Sequence, residues 1–288
     1  MMQAWLRSHP LLAYYALVFA ISWGGILAVA GPSGLLNSSA NPQDLTQFIY
    51  FAALSGPSVA GVLMTALIHG RAGLSDLLAR LLRWRVGPGW WAFALLTAPI
   101  LMAGIIFTLS LTDPAFAPVI VTTDDRVGLV ISGIVLGLVV SFFEEIGWTG
   151  FVTPRLRKRH GFMITGLLMG VVWGAWHYPL FSGSASGAIP PALYIAVLLF
   201  TFLIPFRILM VWLYDRTKSV LVVMFMHATL AAGQLILLPS ALSNEGAVVF
   251  DLVFAAALWG LVAAVYLASR REKRGEPRSA DDAPGSRP

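Results

Sequence analysis

Eight apolar runs dominate the 288-residue chain, at about 11–30, 48–69, 90–112, 127–146, 162–181, 191–213, 219–239 and 247–268. Each is close to the ~20 residues that a helix needs to cross the roughly 30 Å hydrocarbon layer of a bilayer. In that layer the backbone finds no water to bond with, so a spanning segment must satisfy its own polar groups. Hydrophobic residues make up 58% of the chain and charged residues 11%, which excludes a soluble domain of this length. The expected fold class is therefore all-α: a polytopic membrane protein with eight transmembrane helices in one domain, residues 1–270. The polar stretch SGSASGAIP at 182–190 keeps the fifth and sixth runs apart.

Lys and Arg fix an expected orientation. With the N-terminus in the cytoplasm, 17 of the 19 basic residues fall in cytoplasmic segments, Arg126 alone falls outside, and Arg207 lies within a span. This one-sidedness is the positive-inside pattern of a multi-pass protein of the cell membrane, with both termini cytoplasmic. The net charge of +5 is scattered over five short segments, so it is a topology signal with no nucleic-acid partner implied. Between the second and third runs, LSDLLARLLRW (74–84) places leucines at 74, 77, 78, 81 and 82, with Arg80 and Arg83 on the other side. This predicts an amphipathic helix on the cytoplasmic membrane face. The segment 271–288 is polar and rich in Pro and charge, and is expected to be a disordered basic tail. Ala28-Val29-Ala30 has the look of a signal-peptidase site, but the run before it is long enough to span, and an uncleaved helix is the expectation. The chain has no Cys, which excludes disulfides and thiol catalysis.

Against this apolar background a few ionisable residues stand out. Two of only five glutamates, Glu144 and Glu145, sit side by side at the end of the fourth run. His177 lies near the far end of the fifth run and His227 about a third of the way into the seventh. An ionisable group at such depth costs at least ~2.5 kcal/mol on insertion scales and is rare without a partner or a function. Each needs a polar partner that lipid does not supply, so three helices carrying such groups point to one shared site. Glu144 is about eleven residues from Arg155 and His227 about nine from Lys218, placing both ~13–17 Å from the cytoplasmic ends. His177 is about seventeen residues from His160, which is deeper. Arg207 is a lone cation within the sixth run; it either pairs with Glu145 or snorkels toward Asp215.

EEIGWTGFVTPRL, WGAWHYPLF and MHATLAA together resemble the three-motif pattern of the CAAX protease and bacteriocin-processing family, intramembrane glutamic endopeptidases related to the type II CAAX prenyl proteases. The likeness extends to GPSVAGVLMTALIHGRAGLSDLLARLLRWRVG and WLYDRTKSVL. The resemblance implies that Glu144 activates a water with His177 assisting, that His227 helps to stabilise an oxyanion, and that Glu145 orients or tunes the group. It implies peptide hydrolysis in a cavity open to the cytoplasm, on a peptide or membrane-protein substrate that is either lipidated or not. Trp173, one turn before His177, would wall the cavity.

Two positions depart from the pattern. Thr149 stands where motif one has Arg, four residues after the second Glu, and Ala231 stands where motif three has Asn, four residues after its His. Losing one oxyanion donor costs about 10²–10³ in rate, so these departures bear on activity. Gln234 and Arg207 are the candidate substitutes. No cofactor is expected. The alternatives are a zinc hydrolase built on the same Glu and His groups, a non-catalytic immunity or scaffold protein of the same fold, and a transporter, for which no paired half-chains are visible.

Overall fold

The computed structural model describes residues 2–184, 188–239 and 242–275. Thirteen α-helices are found among them: α1 Met2–Ser8, α2 Pro10–Leu36, α3 Thr46–Leu81, α4 Pro88–Ser110, α5 Val119–Thr122, α6 Arg126–Gly147, α7 Thr153–Leu156, α8 Phe162–Trp176, α9 Tyr178–Phe181, α10 Pro191–Phe200, α11 Leu203–Thr217, α12 Val220–Leu237 and α13 Asn244–Gly275. A π-helical turn, Trp148–Val152, joins α6 to α7. No strand occurs among the described residues, so the all-α membrane fold holds.

Among the described residues, seven segments are long and apolar enough to cross a bilayer. The expected eighth, α8, is apolar but has only 15 residues. Its pattern runs apolar to Phe181, but Pro179 lacks the N–H that would continue the helix, and the chain turns at His177. The expected tail also begins later than 271, because α13 continues to Gly275. Its remainder, 276–288, lies outside the described residues, as do 185–187 of the polar stretch.

Local chemistry sets the ends. Asp125 accepts from Gly128 N–H at 2.8 Å and caps α6, while Ser219 accepts from Val222 N–H at 3.1 Å and caps α12. Pro10, Pro88 and Pro191 open α2, α4 and α10, where a missing N–H costs nothing. Within α3, Gly70 takes φ 61°, a left-handed conformation that an L side chain resists. The chain therefore turns out of the span there and continues as the predicted interfacial segment. Only Leu77 of its leucines is buried, while Leu78 and Leu82 stay exposed. Arg80 does not lie on the outer side as expected: it turns inward and donates to Gly150 O at 2.9 Å and Tyr214 Oη at 3.1 Å. One flank of this helix rests on protein and another stays exposed, so a two-sided pattern misplaces the cation.

Helix α6 is central, packed against α3 and α12, with α2 on α3, α12 on α4 and α11 on α8. The α6–α3 crossing is close. A Cβ on Gly147 would lie 2.2 Å from Pro57 O and 2.3 Å from Tyr14 Oη. Pro57 O is backbone and cannot step aside, so Gly147→Ala is expected to destabilise the fold by about 1–3 kcal/mol, the usual cost of overpacking. A thermal midpoint equal to wild type would refute the close fit. Basic ends gather at one end of the bundle. Arg7, Arg155 and Lys158 line one groove, Arg157 pairs with Asp215 at 2.6 Å, and Arg216 pairs with Glu272.

Candidate active site

The two adjacent glutamates have separate surroundings. Glu145 is fully buried, and its carboxylate is saturated. Arg207 donates to it twice, Nη1 to Oε2 at 2.8 Å and Nη2 to Oε1 at 3.0 Å. His227 Nδ1–H donates to Oε1 at 2.9 Å, and Thr149 Oγ1–H donates to Oε2. A bidentate guanidinium–carboxylate pair is the strongest form of such a contact, and here both partners are out of water. Arg207 therefore pairs with Glu145 and does not snorkel. It brings from α11 a guanidinium to the carboxylate beside Thr149, on the very turn where the resembling family carries its Arg.

Glu144, also buried, is bonded on one side only. Trp173 Nε1–H donates to Oε2 at 2.6 Å, while Oε1 faces His177 Nε2 at 3.9 Å. That separation is too long for a direct hydrogen bond. The local fold settles which ring nitrogen of His177 faces Glu144. Helix α8 tightens as it ends, so His177 N–H donates to Gly174 O at 3.1 Å. Trp173 O is thereby freed to accept from His177 Nδ1–H at 2.7 Å. With Nδ1 committed as donor, the neutral ring presents the lone pair of Nε2 to Glu144.

Trp173 ties the halves together. Arg207 Cζ lies 4.0 Å from its ring centroid, and the His177 and His227 rings stand against it at 5.3 and 5.2 Å. The structure thus brings Glu144, Glu145, Trp173, His177, Arg207 and His227 into one cluster drawn from α6, α8 and its C-cap, α11 and α12. The π turn after α6 sits directly beneath them; such turns are single wide insertions often found at functional sites.

Gln234 is not part of this cluster. It lines a cavity of about 370 Å³ shared with His177, Phe202, Phe250 and Asp251, between α10, α12 and α13. Leu238, Pro239 and Leu242 at the α12–α13 turn also line it, so it lies in the half of the bundle away from the basic ends. This cavity reaches His177 from that half of the bundle. At the basic end, Leu77 is buried against Gly150, and Arg80 bonds the Gly150 carbonyl. Asp251 was missed by sequence reading. It is 6% exposed, and no hydrogen bond or ion pair holds it among the described residues. The available signal was a single Asp inside the last apolar run.

Glu144, Glu145 and His227 offer ligand atoms within 4.8 Å of one another, a spacing that could hold a metal ion. The donor chemistry does not favour it. Both oxygens of Glu145 already accept from Arg207, and a divalent ion there would sit against a guanidinium.

The fold and cluster define a multi-pass helical membrane protein with a buried carboxylate–histidine site. Residues 126–233, which contain all six clustered residues, match the family of type II CAAX prenyl endopeptidases described as Rce1-like. A CAAX prenyl protease 2 of Methanococcus maripaludis is 26% identical over 94 residues, 31% of this chain and 35% of that protein. The match therefore spans about a third of that curated relative's length. The resemblance read from the three motifs is to a CAAX protease family, and these matches bear it out.

Proposed function

We propose that this chain is an intramembrane endopeptidase in which Glu144 activates water. The observation that carries the reading is the half-free Glu144 carboxylate: Oε2 is fixed by Trp173, and Oε1 faces the Nε2 lone pair of His177 at 3.9 Å. A water donating one hydrogen to each acceptor fits between them. Glu144 takes its proton as the water oxygen attacks the peptide carbonyl carbon, and His177 holds the second hydrogen. His227, held as the imidazolium with Nδ1–H donating to Glu145, donates Nε2–H to the oxyanion that forms. The C–N bond then breaks, and the proton held on Glu144 passes to the leaving amine. Glu145 does not react; with Arg207 it fixes His227 and Trp173. The substrate is an apolar or lipidated peptide segment that reaches His177 through the cavity between α10, α12 and α13. No metal takes part.

The test is a purified preparation in vesicles, given a farnesylated CAAX-ended peptide and, separately, an unmodified transmembrane peptide. Mass spectrometry of the products is expected to show a new amino terminus on one of them, undiminished by strong chelator. Loss of cleavage in chelator would favour the zinc reading. A folded protein that cleaves neither peptide would favour the non-catalytic one.

We further propose the cell membrane as its location, with both termini in the cytoplasm, on the strength of the basic-residue partition. The chain has no Cys to interfere, so a single Cys at position 120 can be labelled by impermeant maleimide. Labelling from outside only is expected, and labelling from the cytoplasmic side only would reverse the orientation.

A further inference from the structure

A second site lies at the basic end of the bundle, away from the glutamates. Two grooves, of about 540 and 350 Å³, share His69, Arg155 and Lys158. The smaller one adds Arg7 and Arg159, and no acidic residue lines it. The one acid in the larger groove, Asp76, is already taken by Arg80, through Nε at 3.0 Å and Nη2 at 2.9 Å. Among the described residues, Arg7, Arg155, Lys158 and Arg159 form no ion pair with any carboxylate. Like charges crowded without counterions are unfavourable unless an anion joins them.

Arg155 is held ready for one. Its guanidinium stacks 3.5 Å from the Phe151 ring centroid, and Nη1 donates to Phe151 O at 2.7 Å. Phe151 is in turn buried and stacked on Tyr14 at 5.1 Å. The remaining donors of Arg155 are left for the groove, with little side-chain freedom to lose on binding. The other wall of the smaller groove is apolar, made by Leu11, Leu12 and Ile68. These residues belong to α2 and to the span portion of α3, so the wall leads from the basic end toward the hydrocarbon depth.

We infer that this groove binds an anionic phospholipid, its phosphate among Arg155, Lys158 and Arg7 and its acyl chain along Leu11, Leu12 and Ile68. Basic pockets between helices on the cytoplasmic side are suited to such headgroups. The scattered basic residues of an ordinary positive-inside protein are not, because they lack the stacked arginine and the apolar wall. The site is independent of the proposed peptidase reading.

The experiment is native mass spectrometry of the full chain released from nanodiscs of phosphatidylcholine mixed with phosphatidylglycerol. Retention of phosphatidylglycerol is expected, and Arg155→Gln/Lys158→Gln should weaken it about tenfold or more. A second variant, Lys158→Gln/Arg159→Gln, leaves the Phe151 stack intact and should shift in the same direction. The control, Arg83→Gln/Arg85→Gln, removes two charges from the same end outside these grooves and should retain the lipid. Equal retention of both lipids, or equal loss in the control, would overturn the inference. Millimolar inorganic phosphate is expected not to displace the lipid. Saturable binding of phosphate with no preference between lipids would reassign the site to a free anion.

Discussion

Glu144→Gln should abolish peptide cleavage while leaving the protein folded. Gln keeps the volume and an oxygen that can accept from Trp173 Nε1–H, the bond seen at 2.6 Å. It cannot take a proton from water. General-base assistance accounts for about 10²–10⁴ in rate, so residual turnover is expected to fall at least that far. The thermal midpoint should stay close to wild type, because Glu144 makes no ion pair shorter than its 3.9 Å approach to His177. Turnover on the same peptide, measured beside the melting curve, decides the matter. Undiminished cleavage with an intact fold would sink the glutamate mechanism.

Arg207→Leu should act in the opposite way, through the fold first. Both residues of the Arg207–Glu145 pair are wholly buried. Removing one partner from a buried pair costs about 3–5 kcal/mol, because the other charge is left behind. Loss of expression or a large drop in midpoint is expected. On sequence alone, Thr149→Arg reads as repair of the first motif. The structure reverses that expectation. Thr149 is 2% exposed and already bonded to Glu145, so a second guanidinium would enter a full site with no second acid to meet it. Thr149→Arg by itself should therefore destabilise. Combined with Arg207→Leu it should recover part of the lost stability, with a coupling above about 1 kcal/mol. If the double variant is no better than the sum of the two, Arg207 is not the counterpart of the motif arginine.

What could be read beforehand followed the cost of charge in lipid. Glu144, Glu145, His177, His227 and Arg207 were visible because each interrupts an apolar run, and the structure draws all five together. Trp173 was legible as a neighbour of His177, but not as the donor that fixes Glu144, since a Trp in an apolar helix is ordinarily packing. The length of α8 was hidden because YPLF is as apolar as a span, while the turn depends on how His177 and Pro179 share the last carbonyls. Arg80 was misplaced because its partner, the Gly150 carbonyl, is exposed for bonding only by a π turn that no periodicity announces. Asp251 escaped notice because one acid hardly alters the hydropathy of its run.

The shortness of α8 has a consequence for the surrounding lipid. Its 15 residues reach about 22 Å, several ångströms less than a typical hydrocarbon layer. The chain after it does not float free: Ser38 N–H donates to Ser182 Oγ at 3.1 Å, and Gly183 N–H donates to Ser38 Oγ at 3.0 Å. A helix this short leaves a typical bilayer several ångströms too thick on this flank. Such a bilayer must dimple around it, at fractions of a kcal/mol for each ångström of mismatch. Membrane thickness is thus expected to act on the end of α8 that leads into His177.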